Sequence, residues 1–516
     1  MLRERLRQFI PSWQGLLLSL AAAVLLILAF PDFELWFLAW FALVPLLFAV
    51  DREKESVTGS FITGWVFGLV FFLGTCWWLT FAPITYAGFP PALAYFLLFC
   101  LWSLVAVFPA VFAAVMAVLL RRLGPAAMLA APFIWVLSEF LRYWLTGNNW
   151  NAIGYSQTFD SILLPMARIG GVLLVGWMSV YVSSSIVFFR HQRIFQRPVF
   201  GLIPIAIWIA GVLVLNFIDD SIRWSHKNDL AAKVVALQPN VPMSGLTYEK
   251  WQELRQRHVR MAEAELAKLR TDNRQPVTVI FPESPMNFMY EDDPETKAFI
   301  NGFAAKNNVS VLFNSAEPNH ADGKFYNSAV MVSPEGREVA QYDKIYLLPF
   351  GEAVPVPFES IVPAFVGSFS FGKEYDLLPL GEAKAGVMIC FESHFGQLSR
   401  EYVRNGADAI IEMTNDGYLG NTPVLRQHLA NAVFRAVETN RPLLRVTNVG
   451  VTAYITERGE VRDPAPVYQE DTRVWTVSKS DGSQTFYVKY GDWFAWLCSV
   501  VTLGLLVFAW RKPQEV

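Results

Sequence analysis

A polytopic α-helical membrane domain of eight spans, joined to a soluble α/β domain, is the fold class the sequence predicts, on three observations. Of the 516 residues, 53% are hydrophobic and the mean hydropathy is +0.32, too apolar for an ordinary soluble chain. The apolar residues gather in two blocks, roughly 13–218 and 493–510. Between them lies a stretch of globular composition in which short β-branched runs alternate with amphipathic helical patterns. The expected division is a membrane domain over 1–218 with seven helices, a soluble domain over 219–491, and an eighth helix with a cytoplasmic tail over 492–516. A net charge of −3 with no long basic run excludes nucleic acid as a partner.

Polar or Pro/Gly punctuation divides the first block into apolar segments near 13–30, 35–50, 60–80, 91–120, 126–145, 161–189 and 199–217. Most approach the roughly 20 residues of a spanning helix, the second being short, and 493–510 supplies the eighth. Basic residues orient them. Arg3, Arg5 and Arg7 precede the first segment, Arg52 and Lys54 follow the second, and Arg121 and Arg122 follow the fourth. Arg190, Arg193 and Arg197 follow the sixth, and Arg511 and Lys512 follow the eighth. Every second connection is therefore basic and cytoplasmic, which puts the soluble domain on the opposite face. The Arg-rich start resembles a signal peptide, but LLILAFPDFELWF offers no small-residue cleavage site, so a retained first helix is expected.

In the soluble stretch the pattern predicts strands over KVVALQP, VTVIFPE, VSVLFNS, YNSAVMVS, AGVMICF, DAIIEMT, LLRVTN, TAYIT and RVWTVS. Helical spacing predicts helices over 248–269, 294–306, 395–405 and 422–438. Together these make a substantial sheet covered by helices.

Of the four cysteines, Cys76, Cys100 and Cys498 fall in apolar segments, where a small soft side chain packs against its neighbours. Cys390, in GVMICFESHF, is alone in the soluble stretch. A lone exported thiol is an oxidation liability, so it is either buried and inert or used. A nucleophilic cysteine needs a base and a group to hold the developing oxyanion. Glu283 after VTVIFP, Lys344 in YDKIYLLPFGE and Glu352 at the end of that segment supply such groups at strand-to-loop transitions. His394 lies too close in sequence to pair with Cys390 as a protease base and is expected to be exposed or capping a helix. The six histidines form no H-x-x-H or H-x-x-x-H pair, so neither a metal nor another cofactor is expected. Glu139, Arg142 and Arg168 lie in or beside spans, as an ion pair or a phospholipid head-group site, while Trp150 and Tyr155 are placed at the outer interface. Arg426 and His428 line either the site or a solvated face.

Glu283 in FPES, Lys344 in YDK and Cys390 in MICFES, in that order, resemble the Glu-Lys-Cys triad of the nitrilase superfamily. With the membrane segments and the motifs NNWNAIGYSQ, QPN, PFGE and TNDGYLG, essentially the whole chain resembles the apolipoprotein N-acyltransferase family, the membrane-bound branch of that superfamily. It departs from the pattern at Ile345 and Tyr346, where many members carry a histidine after the lysine, and at Tyr418, where tryptophan is common.

The resemblance implies a four-layer αββα sandwich and a set of roles. Glu283 would be general base, Cys390 the nucleophile, Lys344 and the backbone N–H of Phe391 the oxyanion donors, and Glu352 would hold the lysine or assist proton transfer. Asn314, Tyr346, Glu392, Tyr418 and Trp150 are candidate substrate contacts. The implied acyl donor is a glycerophospholipid and the acceptor a diacylglyceryl apolipoprotein. The setting would be the bacterial inner membrane, with a monomer in the bilayer and its catalytic domain facing the periplasm. The apolar stretch 347–372 is expected to act as a mobile lid that admits acyl chains. A membrane-anchored amidase that hydrolyses a lipid or small amide is the alternative reading.

Overall fold

The computed structural model describes residues 10–159, 161–191, 210, 211, 213, 230–269, 276–354 and 369–512. It divides into two compact units. The first comprises Met1–Ser225, Thr422–Ala430 and Tyr490–Val516, and the second His226–Asn421 and Asn431–Lys489.

The first unit is helical. Its helices are Trp13–Ala29, Ala39–Glu53, Val57–Thr75, Pro91–Val105, Val107–Leu123, Ala131–Thr146, Ala167–His191 and Trp493–Arg511. Close approach is bought by small residues: a Cβ on Gly64 would sit 2.4 Å from the carbonyl oxygen of Pro109, so Val57–Thr75 and Val107–Leu123 touch backbone to backbone there.

Four helical stretches among the described residues are long and apolar enough to cross a bilayer: Val57–Thr75, Pro91–Thr146, Leu164–His191 and Trp493–Arg511. The sequence pointed to eight. The difference has identifiable sources. Pro91–Thr146 carries the fourth and fifth expected segments in one helical run. Trp13–Ala29 has 17 residues and Ala39–Glu53 has 15, or about 26 and 22 Å at 1.5 Å per residue, short of a core about 30 Å thick. The expected seventh span, 199–217, lies almost wholly outside the described residues. Cys76 and Cys498 are buried as expected, whereas Cys100 is exposed.

The second unit contains two six-stranded sheets. The first sheet has the order β12-β1-β2-β3-β4-β5 and the second β11-β10-β9-β8-β7-β6. The strands of the first are β1 Leu230–Gln238, β2 Val277–Ile280, β3 Ser310–Asn319, β4 Lys324–Val332, β5 Glu338–Asp343 and β12 Asp471–Ser478. Those of the second are β6 Leu377–Leu380, β7 Ala383–Ile389, β8 Ala409–Thr414, β9 Leu443–Thr447, β10 Ala453–Ile455 and β11 Val461–Arg462.

Each sheet has three adjacent parallel strands, β1-β2-β3 and β7-β8-β9, flanked by antiparallel ones. The parallel strands are buried on both faces, as their near-continuous apolar runs require. β1 lies against β9 and β4 against β7, so the sheets stack face to face. On the outer face of the first sheet, Tyr248–Leu269 lays Leu254, Ala262 and Leu266 into a core with Val235, Val279, Phe281 and Phe313. Each large side chain buried there contributes about 1.5–3 kcal/mol. On the second sheet, the helix Gly396–Arg404 packs so close that Tyr402 carbons lie 2.2 Å from where a Cβ on Gly386 would be.

Candidate active site

In stacked α/β sheets, loops leaving the carboxyl ends of parallel strands converge, and ligands bind there. Glu283 follows β2 by three residues, and Cys390 directly follows β7. Lys344 directly follows β5. The structure brings all three together. The Glu283 carboxylate takes a hydrogen bond from the Cys390 side chain and feels the charges of Lys344 and Glu352. Lys344 Nζ donates to Glu352 at 2.8 Å. Asn327 Nδ2 bridges the two carboxylates, donating to Glu352 Oε1 at 2.6 Å and Glu283 Oε1 at 3.3 Å. The other Glu283 oxygen accepts the backbone N–H of Asn415 at 3.0 Å.

The backbone at Cys390 is strained. Its φ of +53° lies in the left-handed region, which costs a non-glycine residue about 1–2 kcal/mol. Extended Ile389 gives way there to the short 3₁₀ helix Cys390–His394, so the sharp turn presents the side chain at the end of the strand. Cys390 is partly exposed, whereas Lys344 is only 1% exposed.

Burial and the neighbouring Glu283 carboxylate push the Cys390 thiol well up, against the opposing pull of Lys344. Glu283 is itself raised by burial, partly offset by Lys344 and reinforced by Glu352. Burial works to lower Lys344, but Glu352 and Glu283 overcome it and hold the ammonium protonated. Burial thus raises the proton affinity of both Glu283 and Cys390, with the positive charge of Lys344 alongside.

The remaining predicted residues separate. Asn314 is buried and donates to Asn327 Oδ1 at 2.6 Å, so it supports the bridging amide. Glu392 is fully buried and saturated: it accepts from Tyr342 Oη at 2.8 Å, Ile345 N at 2.8 Å, Tyr346 N at 3.0 Å and Ile389 N at 2.9 Å. It ties the segment after Lys344 to the strand before Cys390 and faces no open space. Burial raises its carboxyl to about 7. Tyr346 stacks on Phe395 at 4.1 Å and binds Gln397 through its hydroxyl. Tyr418 is exposed. Phe391 is buried with His394 and Phe395 in an aromatic stack, which corrects the expectation of an exposed or capping His394. Of the expected lid, 355–368 lie outside the described residues.

Trp150 belongs to the first unit, where its indole N–H donates to Gln427 Oε1 at 2.9 Å and its ring meets Trp78 and His428. Both Trp150 and Tyr155 are buried inside that unit, not spread as exposed anchors. Arg426 pairs with Glu34 and lies over Phe159. Glu139 accepts the Ile153 N–H at 2.8 Å, and Arg142 donates to Trp150 O at 2.9 Å and Asn149 Oδ1 at 2.8 Å. The cavity beside Glu139 and Arg142 has a volume of about 20 Å³. That is room for about one water.

Sequence reasoning missed Asn327, Asn415, Asn448 and the buried ion cluster of Arg445, Glu412 and Asp416. Their signal was available. Each interrupts or ends an apolar strand, as in NSAVMV, AIIEMTND and LLRVTN, where a polar residue must find a partner. Among the described residues no group of three or more His, Cys, Asp and Glu is placed to hold a metal.

A carboxylate, a lysine and a strained cysteine thus meet at converging strand ends of an α/β domain with two stacked sheets. The sequence agrees: residues 227–485 match the carbon-nitrogen hydrolase family, and residues 22–185 match the apolipoprotein N-acyltransferase N-terminal domain. The chain is 32% identical to the apolipoprotein N-acyltransferase of Geobacter metallireducens, over 96% of each chain. It is 30% identical to that of Thermotoga maritima, over 98% of this chain and 96% of the other. It is also similar to the crystal structure of Saccharomyces cerevisiae Nit3, a nitrilase-superfamily member, with a TM-score of 0.39, 19% identity, and coverage of 49% of this chain and 92% of that one. The chain belongs to the apolipoprotein N-acyltransferase family.

Proposed function

We propose that this protein N-acylates the N-terminal diacylglyceryl-cysteine of apolipoproteins, taking the acyl group from a glycerophospholipid through a thioester on Cys390. The observation that carries the reading is the cluster in which Cys390 hydrogen-bonds Glu283, Lys344 pairs with Glu352 and Asn327 joins both carboxylates. In the first half-reaction Glu283 takes the thiol proton as sulfur attacks the ester carbonyl carbon. Lys344 and the Phe391 N–H hold the tetrahedral oxyanion. The C–O bond breaks, and the lysophospholipid leaves with the proton from Glu283. In the second half-reaction the α-amino group attacks the thioester carbonyl, Glu283 takes the ammonium proton, and the C–S bond breaks to return the thiol. Glu352 keeps Lys344 charged and in place.

The family relationship and the apolar helices support a bacterial membrane protein; in this reading it works as a monomer in the inner membrane with the second unit on the periplasmic side. In this arrangement residues 1–218 and 492–516 form the membrane domain, and 219–491 form the catalytic domain. The reaction needs no cofactor.

The test is transfer in vesicles made of one defined phospholipid, with a synthetic diacylglyceryl-cysteine peptide as acceptor. The expected result is an N-acylated peptide and one equivalent of lysophospholipid, both lost with Cys390→Ala. Hydrolysis of an amide with no transfer to the peptide would instead establish the amidase reading.

A further inference from the structure

The motifs QPN, TND and LLRVTN have no part in the triad, yet they end strands β1, β8 and β9 and meet at one residue. Asn448 is completely buried. Its Oδ1 accepts the Val241 N–H at 2.7 Å, and its Nδ2 donates to Val241 O at 2.9 Å and to Asn415 Oδ1 at 3.1 Å. Its backbone N–H donates to Thr414 O at 3.0 Å, and its carbonyl accepts the Asn240 N–H at 3.1 Å. One side chain thus clips the loop after β1, in the first sheet, to the loop after β8, in the second. The product of that clip is the backbone N–H of Asn415, aimed at Glu283 Oε2 at 3.0 Å.

We propose that Asn448 is a positioning residue for the acylation step, acting through Asn415 to fix the orientation and proton affinity of Glu283. Two geometric facts support this. Among the described residues, the Asn415 side chain accepts from Asn448 Nδ2 at 3.1 Å and from the Gly417 N–H at 3.3 Å and reaches Met243 sulfur at 3.6 Å, and of these only Asn448 is itself tied by its side chain to the backbone of the loop after β1, so the amide pair anchors Asn415, and with it the N–H, to that loop. The other Glu283 oxygen is held by Asn327 at 3.3 Å, so removal of the Asn415 bond leaves the carboxylate on that amide and the Cys390 thiol. A carboxylate that loses an N–H donor binds its proton more tightly. The charged and titratable groups facing Glu283 are Lys344, Glu352 and Cys390, while Asp416, paired with Arg445, acts on Cys390 from the same loop. None of these is altered by changing Asn448.

The inference rests on the proposed thioester chemistry, and the experiment separates the two. Single-turnover acylation of the full-length protein by a defined phospholipid, without acceptor, is followed by intact mass as a function of pH for wild type, Asn448→Ala, Asn415→Ala and the double variant. Asn448→Ala is expected to slow acylation about ten- to a hundredfold at neutral pH, with unchanged half-saturation in phospholipid. Its acid limb is expected to move up by about one pH unit. Asn415→Ala, which keeps the N–H but cuts the amide pair, shifts the limb in the same direction and stays testable if Asn448→Ala does not fold. The double variant is expected to be no worse than the poorer single one. An acid limb in Asn415→Ala that coincides with wild type, or fully additive losses, overturns the inference. No acylation of wild-type Cys390 would overturn the thioester reading, and this inference with it.

Discussion

Each sheet of the second unit holds a cation between two carboxylates, and the two clusters are built for opposite ends. At the edge of the first sheet Lys344 lies with Glu352 and Glu283. Inside the second, Arg445 on β9 pairs with Glu412 directly across on β8 and with Asp416 at 2.8 Å. Lysine presents three donors on a flexible stem, so an ammonium that serves one carboxylate keeps donors for a newly formed oxyanion. The guanidinium of Arg445 is committed on both forks, with Glu412 and Arg445 wholly buried. On the proposed chemistry, charge count does not mark a reactive cluster; an ammonium that pairs, among the described residues, with one carboxylate beside a partly exposed cysteine does.

The sharpest way to break this comparison is to exchange the cations. Lys344→Arg keeps the charge but replaces the point ammonium with a planar fork in a site built for the smaller group. We expect a loss of about 10²–10³ in acylation rate, comparable to removing an oxyanion donor, with thermal stability changed far less. Retention of wild-type kinetics would remove Lys344 from the oxyanion role.

The converse substitution acts on stability. Arg445→Met leaves Glu412 and Asp416 buried without their cation, which costs about 3–5 kcal/mol and lowers Tm. Lys344→Met is expected to lose activity with a smaller fall in Tm, because Asn327 still joins Glu283 and Glu352. Equal Tm losses in the two variants would erase the distinction drawn here.

Glu392 gives a smaller, pH-dependent effect. Its carboxyl is raised to about 7 from an ordinary value of 4.5, so between those pH values the folded state holds a proton that the unfolded state releases. Its contribution to stability is therefore fully present below about pH 4.5 and is lost as pH rises through 7. The Tm advantage of wild type over Glu392→Gln is expected to shrink across that window and level off above it. A constant difference from pH 4.5 to 8 would contradict the placement of Glu392 in a fully desolvated site.

How much of this was legible in the sequence depends on the range of the signal. Short β-branched runs announced β1, β2, β3, β4, β7, β8, β9, β10 and β12, most plainly in the parallel strands, which are buried on both faces and must be apolar. The edge strands β5, β6 and β11 were not announced: EVAQYD, LLPL and VR are polar, proline-containing or very short. Among the apolar helices, composition marked where helix forms but not where one helix stops, since Pro91–Val105 and Val107–Leu123 meet without polar punctuation. Glu283, Lys344 and Cys390 stood out by residue type against their surroundings. Glu392 was read as a substrate contact because sequence cannot reveal that four donors from three segments already surround it. Asn327 and Asn448 showed only as polar residues at apolar strands; which partners they meet lies far away in the chain.

The central claim is that the partly exposed Cys390, not any other group, carries the acyl chain. Intact mass spectrometry of the purified full-length protein, incubated with a phospholipid of defined acyl chains and no acceptor, tests it most directly. The account predicts a hydroxylamine-labile increase of one acyl chain in wild type that is absent in Cys390→Ala. An adduct of the same mass on Cys390→Ala, or full activity of that variant without any adduct, would contradict it.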